Sequence, residues 1–360
     1  MSSRRRRKGG RLVAAAAVLI LIVLAAAVGF ALRSPYGDFE PGGTFVEVAK
    51  GTSTRALASQ LADAGVVRSP WYFLLARVLH PRARLQAGEY RFERAASPLV
   101  VFGRIVRGDV FFYDLTVPEG SNMFDIAALL DQLGVIRRGD FLAVAENPQL
   151  IRDLDPQAPT LEGYLFPSTY RLTHRTTALQ VCRMLTGEFR KQWRLLSKPE
   201  SRPHSTVTLA SLVEKETATP SERPVVASVF RNRLAKGMTL DCDPTTIYAA
   251  LLEKRFRGKI HRSDLQSENA YNTYRHQGLP PGPIANPGVA SLKASLAPAD
   301  TEYLYFVAKS DGSGHRFART LEEHNRNVKE YRREHPGKSA ESTSTEGIPR
   351  PHTARAHRRG

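Results

Sequence analysis

Residues 207–217 read VTLASLVEKET. Leu209, Leu212 and Val213 precede Glu216 by seven, four and three positions, the spacing of neighbours on one helical face. The spacing predicts a helix whose apolar stripe carries Glu216 at its end. Glu214 sits about 200° around the helix and is free to reach solvent or a cation. A carboxyl on an apolar stripe has its charged form disfavoured, so its pKa rises. A Glu with a raised pKa suits the general acid of glycosidic bond cleavage. A core-facing Glu paired with Arg231 or Arg233 is the alternative.

Thr219-Pro220 breaks the helix. The next one is expected to begin near Ser221 as N-cap, with Glu222 in its first turn and Pro224 at N3, and to run through VVASVFRNRL to Gly237. Asp241–Thr246 (DCDPTT) reads as a polar turn. Tyr271, Asn272 and Tyr274 follow in AYNTY, and are suited to hydrogen-bonding N-acetyl groups and hydroxyls, although Asn also caps and turns. The stretch 278–288, GLPPGPIANPG, holds four prolines and three glycines, so it is neither helix nor central strand. It carries Asn286, as a wall of a site or a rigid packing loop. Tyr303–Ala308 reads as a strand, with Gly314–Phe317 as its hairpin partner.

Upstream, helices are expected over 124–133, 139–153 and 178–197, the last broken at His204–Thr206. Between them lies Leu161–Pro167 (LEGYLFP), an aromatic loop with Glu162 that fits either sugar binding or core packing. Residues 43–117 form a small mixed module. Strands are expected at Thr44–Val48, 87–92 and Val110–Val117, and helices at 54–64, 71–79 and 99–106. Strand, helix, helix, strand suits a LysM-like carbohydrate-binding unit or a generic small α+β domain without a ligand.

The chain has 360 residues and a formal charge of +17, with a sequence pI of about 10.1. Six positive charges fall in residues 1–11 and a net four in 332–360, leaving seven on the rest. Leu12–Leu32 carries no charge and, as a helix, is long enough for the hydrocarbon core. It is longer than the apolar region of a cleaved signal. The basic block before it makes 1–11 a cytoplasmic segment and places residues 33–360 outside. That topology argues against nucleic acid as a partner. Residues 332–360 read as a disordered basic tail. Cys182 and Cys242 either pair or remain buried thiols. No HExxH or paired-Cys spacing exists, so no metal site is expected. No GxSxG, P-loop or GxGxxG pattern appears either.

In order along the chain stand AGEYRF, LEGYLFPSTY, EKETATPSERPVVASVFRNRL, LDCDPTTIYA, AYNTY, GLPPGPIANPG and YLYFVA…GHRFARTLEEHN. Together they resemble the YceG-like endolytic murein transglycosylase (MltG) family over roughly residues 40–331. The resemblance implies a fold class of α+β: an N-terminal transmembrane helix (12–32), a LysM-like subdomain (43–117), and a mixed, mainly helical catalytic domain (118–331) with a small β-sheet. It implies a lytic transglycosylase of the bacterial inner membrane, acting in the periplasm on nascent peptidoglycan strands and ending their elongation. The family's catalytic glutamate is the second Glu of EKET, here Glu216. Two positions depart from the family pattern. Asp241-Cys242 stands where Gln then Ser or Thr is common, and Pro224 where Asp is frequent.

The resemblance thus implies cleavage of the MurNAc–GlcNAc β-1,4 bond with 1,6-anhydro ends, Glu216 serving as acid and then base. Tyr271, Asn272, Tyr274, Glu162, Asp243 and Asn286 are the expected sugar-binding residues. No cofactor is implied, and peptidoglycan synthases are a partner class left open. A lysozyme-type hydrolase using Asp243 or Glu214, and a non-catalytic wall-binding scaffold, are the rival readings.

Overall fold

The computed structural model describes residues 3–40, 42–197 and 203–334; side chains are described from residue 15 onward. The chain divides at Phe112/Tyr113 into two compact units.

The first unit opens with α1 (Ser3–Arg33). The helix includes the basic block as well as the apolar stretch. Ala15–Arg33 is apolar, lies almost wholly uncovered by protein, and is long enough to cross a bilayer. There follow β1 (Thr44–Val48), α2 (Thr54–Asp63), α3 (Pro70–Leu79), β2 (Gly88–Phe92) and α4 (Pro98–Arg107). β1 and β2 pair antiparallel, Thr44 opposite Phe92 and Val48 opposite Gly88. Local chemistry sets the boundaries. Ser53 and Ser97 accept hydrogen bonds from the Ala56 and Val100 N–H groups, capping α2 and α4. Gly108, at φ +71°, closes α4 in the left-handed conformation. Leu57, Leu61, Phe73, Tyr90, Phe92, Phe102 and Ile105 form the core of this unit.

The second unit contains β3 (Tyr113–Thr116), α5 (Met123–Gln132), α6 (Arg138–Ala145), β4 (Thr169–Leu172), α7 (Ala178–Leu196), α8 (Pro203–Glu216) and α9 (Arg223–Ala235). It continues with α10 (Asp243–Leu252), α11 (Arg262–Leu265), α12 (Val289–Leu296), β5 (Tyr305–Ala308), β6 (His315–Ala318) and α13 (Leu321–Glu334). The unit is mainly helical, with two antiparallel two-stranded sheets, β3–β4 and β5–β6, where one small sheet was expected. The strand expected over Val110–Val117 narrows to β3 and pairs with β4, so it belongs to this unit. The helix expected over 139–153 is cut short: α6 ends at Ala145, and a 3-10 turn at Pro148–Leu150 follows, since Pro148 cannot extend α6.

His204–Thr206, expected to break a helix, instead form the first turn of α8. Pro203 opens that turn, where its missing N–H costs no intrahelical bond. Every residue of α8 from Val207 to Val213 is buried. A helix hydrophobic all round is a buried helix, and α8 divides two cores. Val207 and Ala210 face the core built on α5, α6 and α7. Leu209, Leu212 and Val213 face the core built on α9 and α10, with Leu240, Cys242, Tyr248 and Tyr271. The end of α8, and with it Glu216, is therefore held by packing on both sides.

The expected N-cap at Ser221 is displaced. Glu222 caps α9 with its backbone, and Pro224 lies at the start of the helix. Arg332 and Arg333, assigned to the tail, are the last turn of α13. The remainder of the tail, from residue 335, lies outside the described residues.

Candidate active site

Glu216 ends α8 at the floor of a cleft of about 420 Å³. The cleft is also lined by Arg233 of α9, Asp241 and Asp243 before and at the start of α10, and Tyr274. Its opposite wall is the β5–β6 hairpin, through Tyr305, Phe306 and His315, and α13 through Leu321, His324 and Val328.

Glu216 is partly exposed to this space, and among the described residues no cation lies within salt-bridge distance of it. Arg233, the expected partner of a structural Glu, is spent elsewhere. Its guanidinium donates to the Leu304, Thr239 and Leu240 carbonyls and pairs with Asp241 at 3.0 Å. The near partner of Glu216 is the Cys242 thiol, which donates to Oε1 at 3.0 Å. Burial pushes the Glu216 carboxyl up to about 7; the thiol hydrogen bond lowers it, neighbouring Asp243 raises it, and the Arg233 charge across the cleft lowers it. Burial and the adjacent Glu216 carboxylate raise the Cys242 thiol well above its ordinary pKa, so it stays a donor.

The turn that carries Cys242 is rigid. Asp241 adopts φ +50°, a left-handed conformation uncommon outside glycine. The Cys242 N–H donates to Thr273 Oγ1, and Thr245 Oγ1 donates to the Cys242 carbonyl. Residues 243–246, expected as a turn, are the first turn of α10, with Pro244 just inside the helix. The Tyr274 hydroxyl donates to Asp243 Oδ1 at 2.7 Å. Burial raises the Tyr274 pKa, and the Asp243 charge adds to it, so the phenol keeps its proton.

Of the solvent and the cation that the helical wheel left open to Glu214, the structure gives it the cation. Its side chain is 4% exposed, paired with Arg223 at 3.0 Å, and it accepts the Gly288 N–H at 2.9 Å. A Cβ at Gly288 would displace the Glu119 carboxylate, which packs over it. The two glutamates on either side of Lys215 thus receive different environments: one ion-paired with Arg223, the other hydrogen-bonded to a thiol.

Of the expected sugar-binding residues, Asp243 and Tyr274 line the cleft with Glu216; Tyr271, Asn272, Glu162 and Asn286 do not. Asn272 is fully buried. Its amide donates to the Asp264, Leu265 and Ser267 carbonyls, and its oxygen accepts the Tyr274 N–H. Tyr271 packs on Tyr248 in the second core. Asn286 is also fully buried; it accepts from the Leu165 N–H and donates to the Ser121 carbonyl and Glu162 Oε1. Glu162 accepts the Met123 N–H as well, and burial lifts its carboxyl to about 8. Gly163 beside it, at φ +85°, leaves Pro283 the space that a side chain would fill. Asn286 and Glu162 thus tie the LEGYLFP loop and the start of α5 to the proline-rich loop, while Asn272 fixes the segment 264–274.

Sequence reading missed His315 as a lining residue. Its Nδ1 and backbone N–H both contact the Glu222 carboxylate at 2.7 Å, and Thr217 Oγ1 donates to the same group. Burial acts to raise Glu222, but the His315 hydrogen bonds outweigh it and hold the carboxyl below its ordinary value. The carboxylate fixes the tautomer with Nδ1 protonated. Ninety-three positions separate the partners, and the only available signal was that both fall inside quoted motifs. Cys182 and Cys242 are both free, buried thiols, one in each core.

Residues 46–330 match the YceG-like family. The chain is 32% identical over 306 residues to a Bacillus subtilis (strain 168) protein named endolytic murein transglycosylase, covering 79% of this chain and 84% of that one. It is 28% identical over 329 residues to a Streptococcus pneumoniae (strain ATCC BAA-255 / R6) protein of the same name, covering 79% of this chain and 58% of the longer relative. A crystal structure of a yceG-like protein from Listeria monocytogenes aligns with a TM-score of 0.50 at 30% identity, over 78% of this chain and 98% of the other.

Proposed function

This chain belongs to the YceG-like family, and from that premise we propose that it is an endolytic lytic transglycosylase of peptidoglycan. Its substrate is the MurNAc–GlcNAc β-1,4 bond of nascent glycan strands, and its action ends their elongation. The observation that carries the reading is Glu216: a carboxyl in the cleft floor, in no ion pair among the described residues, raised to about 7.

Such a group is protonated often enough near neutral pH to act as an acid, and is a useful base once ionised. Glu216 gives its proton to the glycosidic oxygen as the C1–O bond breaks. The resulting carboxylate removes the proton of the MurNAc 6-hydroxyl. O6 bonds to C1, the 1,6-anhydro ring closes, and Glu216 is again protonated. No water is consumed, so no second carboxylate has to activate one. Asp243 and Tyr274 are the polar side chains beside Glu216 that orient the sugar. Tyr305 and Phe306 offer apolar ring surface for its faces. Tyr271, Asn272, Glu162 and Asn286 act from behind, by fixing the loops.

α1 anchors the enzyme as a single-pass segment, N-terminus in the cytoplasm and body in the periplasm; its length and apolar character support this. The β1-α2-α3-β2 order of the first unit supports a LysM-like module that holds glycan. Peptidoglycan synthases, which make the strand that is cut, are the partners this role calls for. Glu216→Gln tests the assignment: purified full-length variant should lose cleavage of isolated glycan strands by about 10²–10⁴-fold, and full turnover would refute it.

A further inference from the structure

We propose that α3 and its flanking arginines form a docking face for the headgroup layer of an anionic lipid bilayer. The proposal rests on the reading of α1 as a membrane anchor and goes beyond it.

α3 is apolar on both sides. Phe73 and Ala76 are fully buried in the core of the first unit. Trp71 and Val78 are each 71% exposed and Leu79 56%. Trp71, Leu75 and Val78 lie at i, i+4 and i+7, one stripe of the helix. A helix hydrophobic all round is built for partners on both faces, and among the described residues only one face is covered. Exposed Arg82 and Arg84 follow α3. Arg77 donates to the carbonyls of His80, Pro81 and Ala83, which holds the segment bearing those arginines in place.

The anchor fixes where this face stands. α1 packs against α4 and α3, and Leu32 in its last turn is 2% exposed. Tyr36, three residues past the helix end, exchanges both backbone hydrogen bonds with Ala96 at 3.1 Å. Three residues span at most about 10 Å, so the module begins where the apolar helix stops. The Arg68 guanidinium lies over the Tyr36 ring, 5.4 Å from its centre. Arg68 is three positions before Trp71. Trp71 is therefore held close to the level at which α1 leaves the hydrocarbon. Tryptophan favours that level, and arginine beside it favours anionic phosphates. A bilayer surface satisfies the apolar stripe, the basic rim and the position together.

The test uses the full-length protein with Trp193→Phe, which leaves Trp71 as the only one of two tryptophans. It is reconstituted in phosphatidylethanolamine–phosphatidylglycerol vesicles carrying bromine either just below the headgroup or near the chain end. Trp71 emission should shift to the blue, with a larger loss of intensity to the shallow bromine than to the deep one. Arg82→Glu with Arg84→Glu should reduce that loss. If Trp193→Phe does not fold, the difference between wild type and Trp71→Phe gives the same reading. Water-like, unquenched emission overturns the docking face while leaving the anchor intact. A blue shift without quenching means that Trp71 is covered by this chain or a second copy of it, and overturns it also. Loss of the protein from vesicles floated after an alkaline carbonate wash overturns the anchor reading and this proposal with it.

Discussion

The Cys242 thiol donates a hydrogen bond to Glu216 Oε1 across 3.0 Å. It is the one direct polar contact on the candidate acid among the described residues, and it favours the ionised form. Burial favours the protonated form more strongly, which leaves the carboxyl near 7. The pair can be tuned from either side.

Activity should fall as pH rises through about 7, because Glu216 must begin each cycle protonated. Cys242→Ala removes a donor to the carboxylate, so the pKa rises and the alkaline limb of kcat/KM moves up by about half to one unit. Cys242→Ser keeps a donor and should hold the limb near that of wild type. The pH–rate profiles of the three proteins decide this; superimposable limbs would remove the thiol from the account.

Glu214→Gln should cost stability more than chemistry. The change takes the nearer of two carboxylates from buried Arg223, leaving Glu119 at 3.9 Å, and weakens the hold on the Gly288 N–H. Losing a hydrogen bond to a charged group costs about 1.5–3 kcal/mol. Thermal unfolding should show the loss, while turnover measured well below the melting temperature stays within about tenfold of wild type.

The helical face at 207–217 carried most of what could be read about the site. The 207–217 stripe singled out Glu216 as a candidate, but α8 is buried all round from Val207 to Val213, so the helical wheel did not separate it from Glu214, whose side chain is 4% exposed. The short strands and helices of the first unit were legible, since each is bounded by a Ser cap, Pro or Gly. Long-range polar partners were not legible. Asn272 and Asn286 look like sugar ligands in sequence, yet their amides are used up on buried protein groups, for Asn286 on a carbonyl 165 positions away and on the Glu162 carboxyl. The burial of Glu214 depended on Arg223 and Gly288, which no helical wheel includes. The His315–Glu222 contact joins segments that meet only when the β5–β6 hairpin closes over α9.

Asn286→Ala should destabilise the second unit by about 2–4 kcal/mol, since it strands the Leu165 N–H and Glu162 in a buried setting. A thermal melt compared with that of Tyr274→Phe separates the roles. Tyr274 lines the cleft, so its change should lower kcat with a smaller effect on melting.

Glu216→Gln should also change stability with pH. The folded carboxyl titrates near 7 against an ordinary 4.5. The native state therefore holds its proton over that window, and stability is lost as pH rises from 4.5 through 7. The Gln variant escapes this loss. It should match wild type near pH 4 and exceed it at pH 8 by about 1–3 kcal/mol. Glu162, raised to about 8, is present in both proteins and cancels from the comparison. Equal pH dependence of melting would place Glu216 in an ordinary, solvated setting.

The most direct test of the chemistry is mass spectrometry of the products from purified full-length enzyme and isolated glycan strands. Glu216 acting in turn as acid and base predicts fragments ending in 1,6-anhydro-MurNAc, with no water gained. Fragments with reducing ends, one water heavier, would contradict it and make the enzyme a hydrolase.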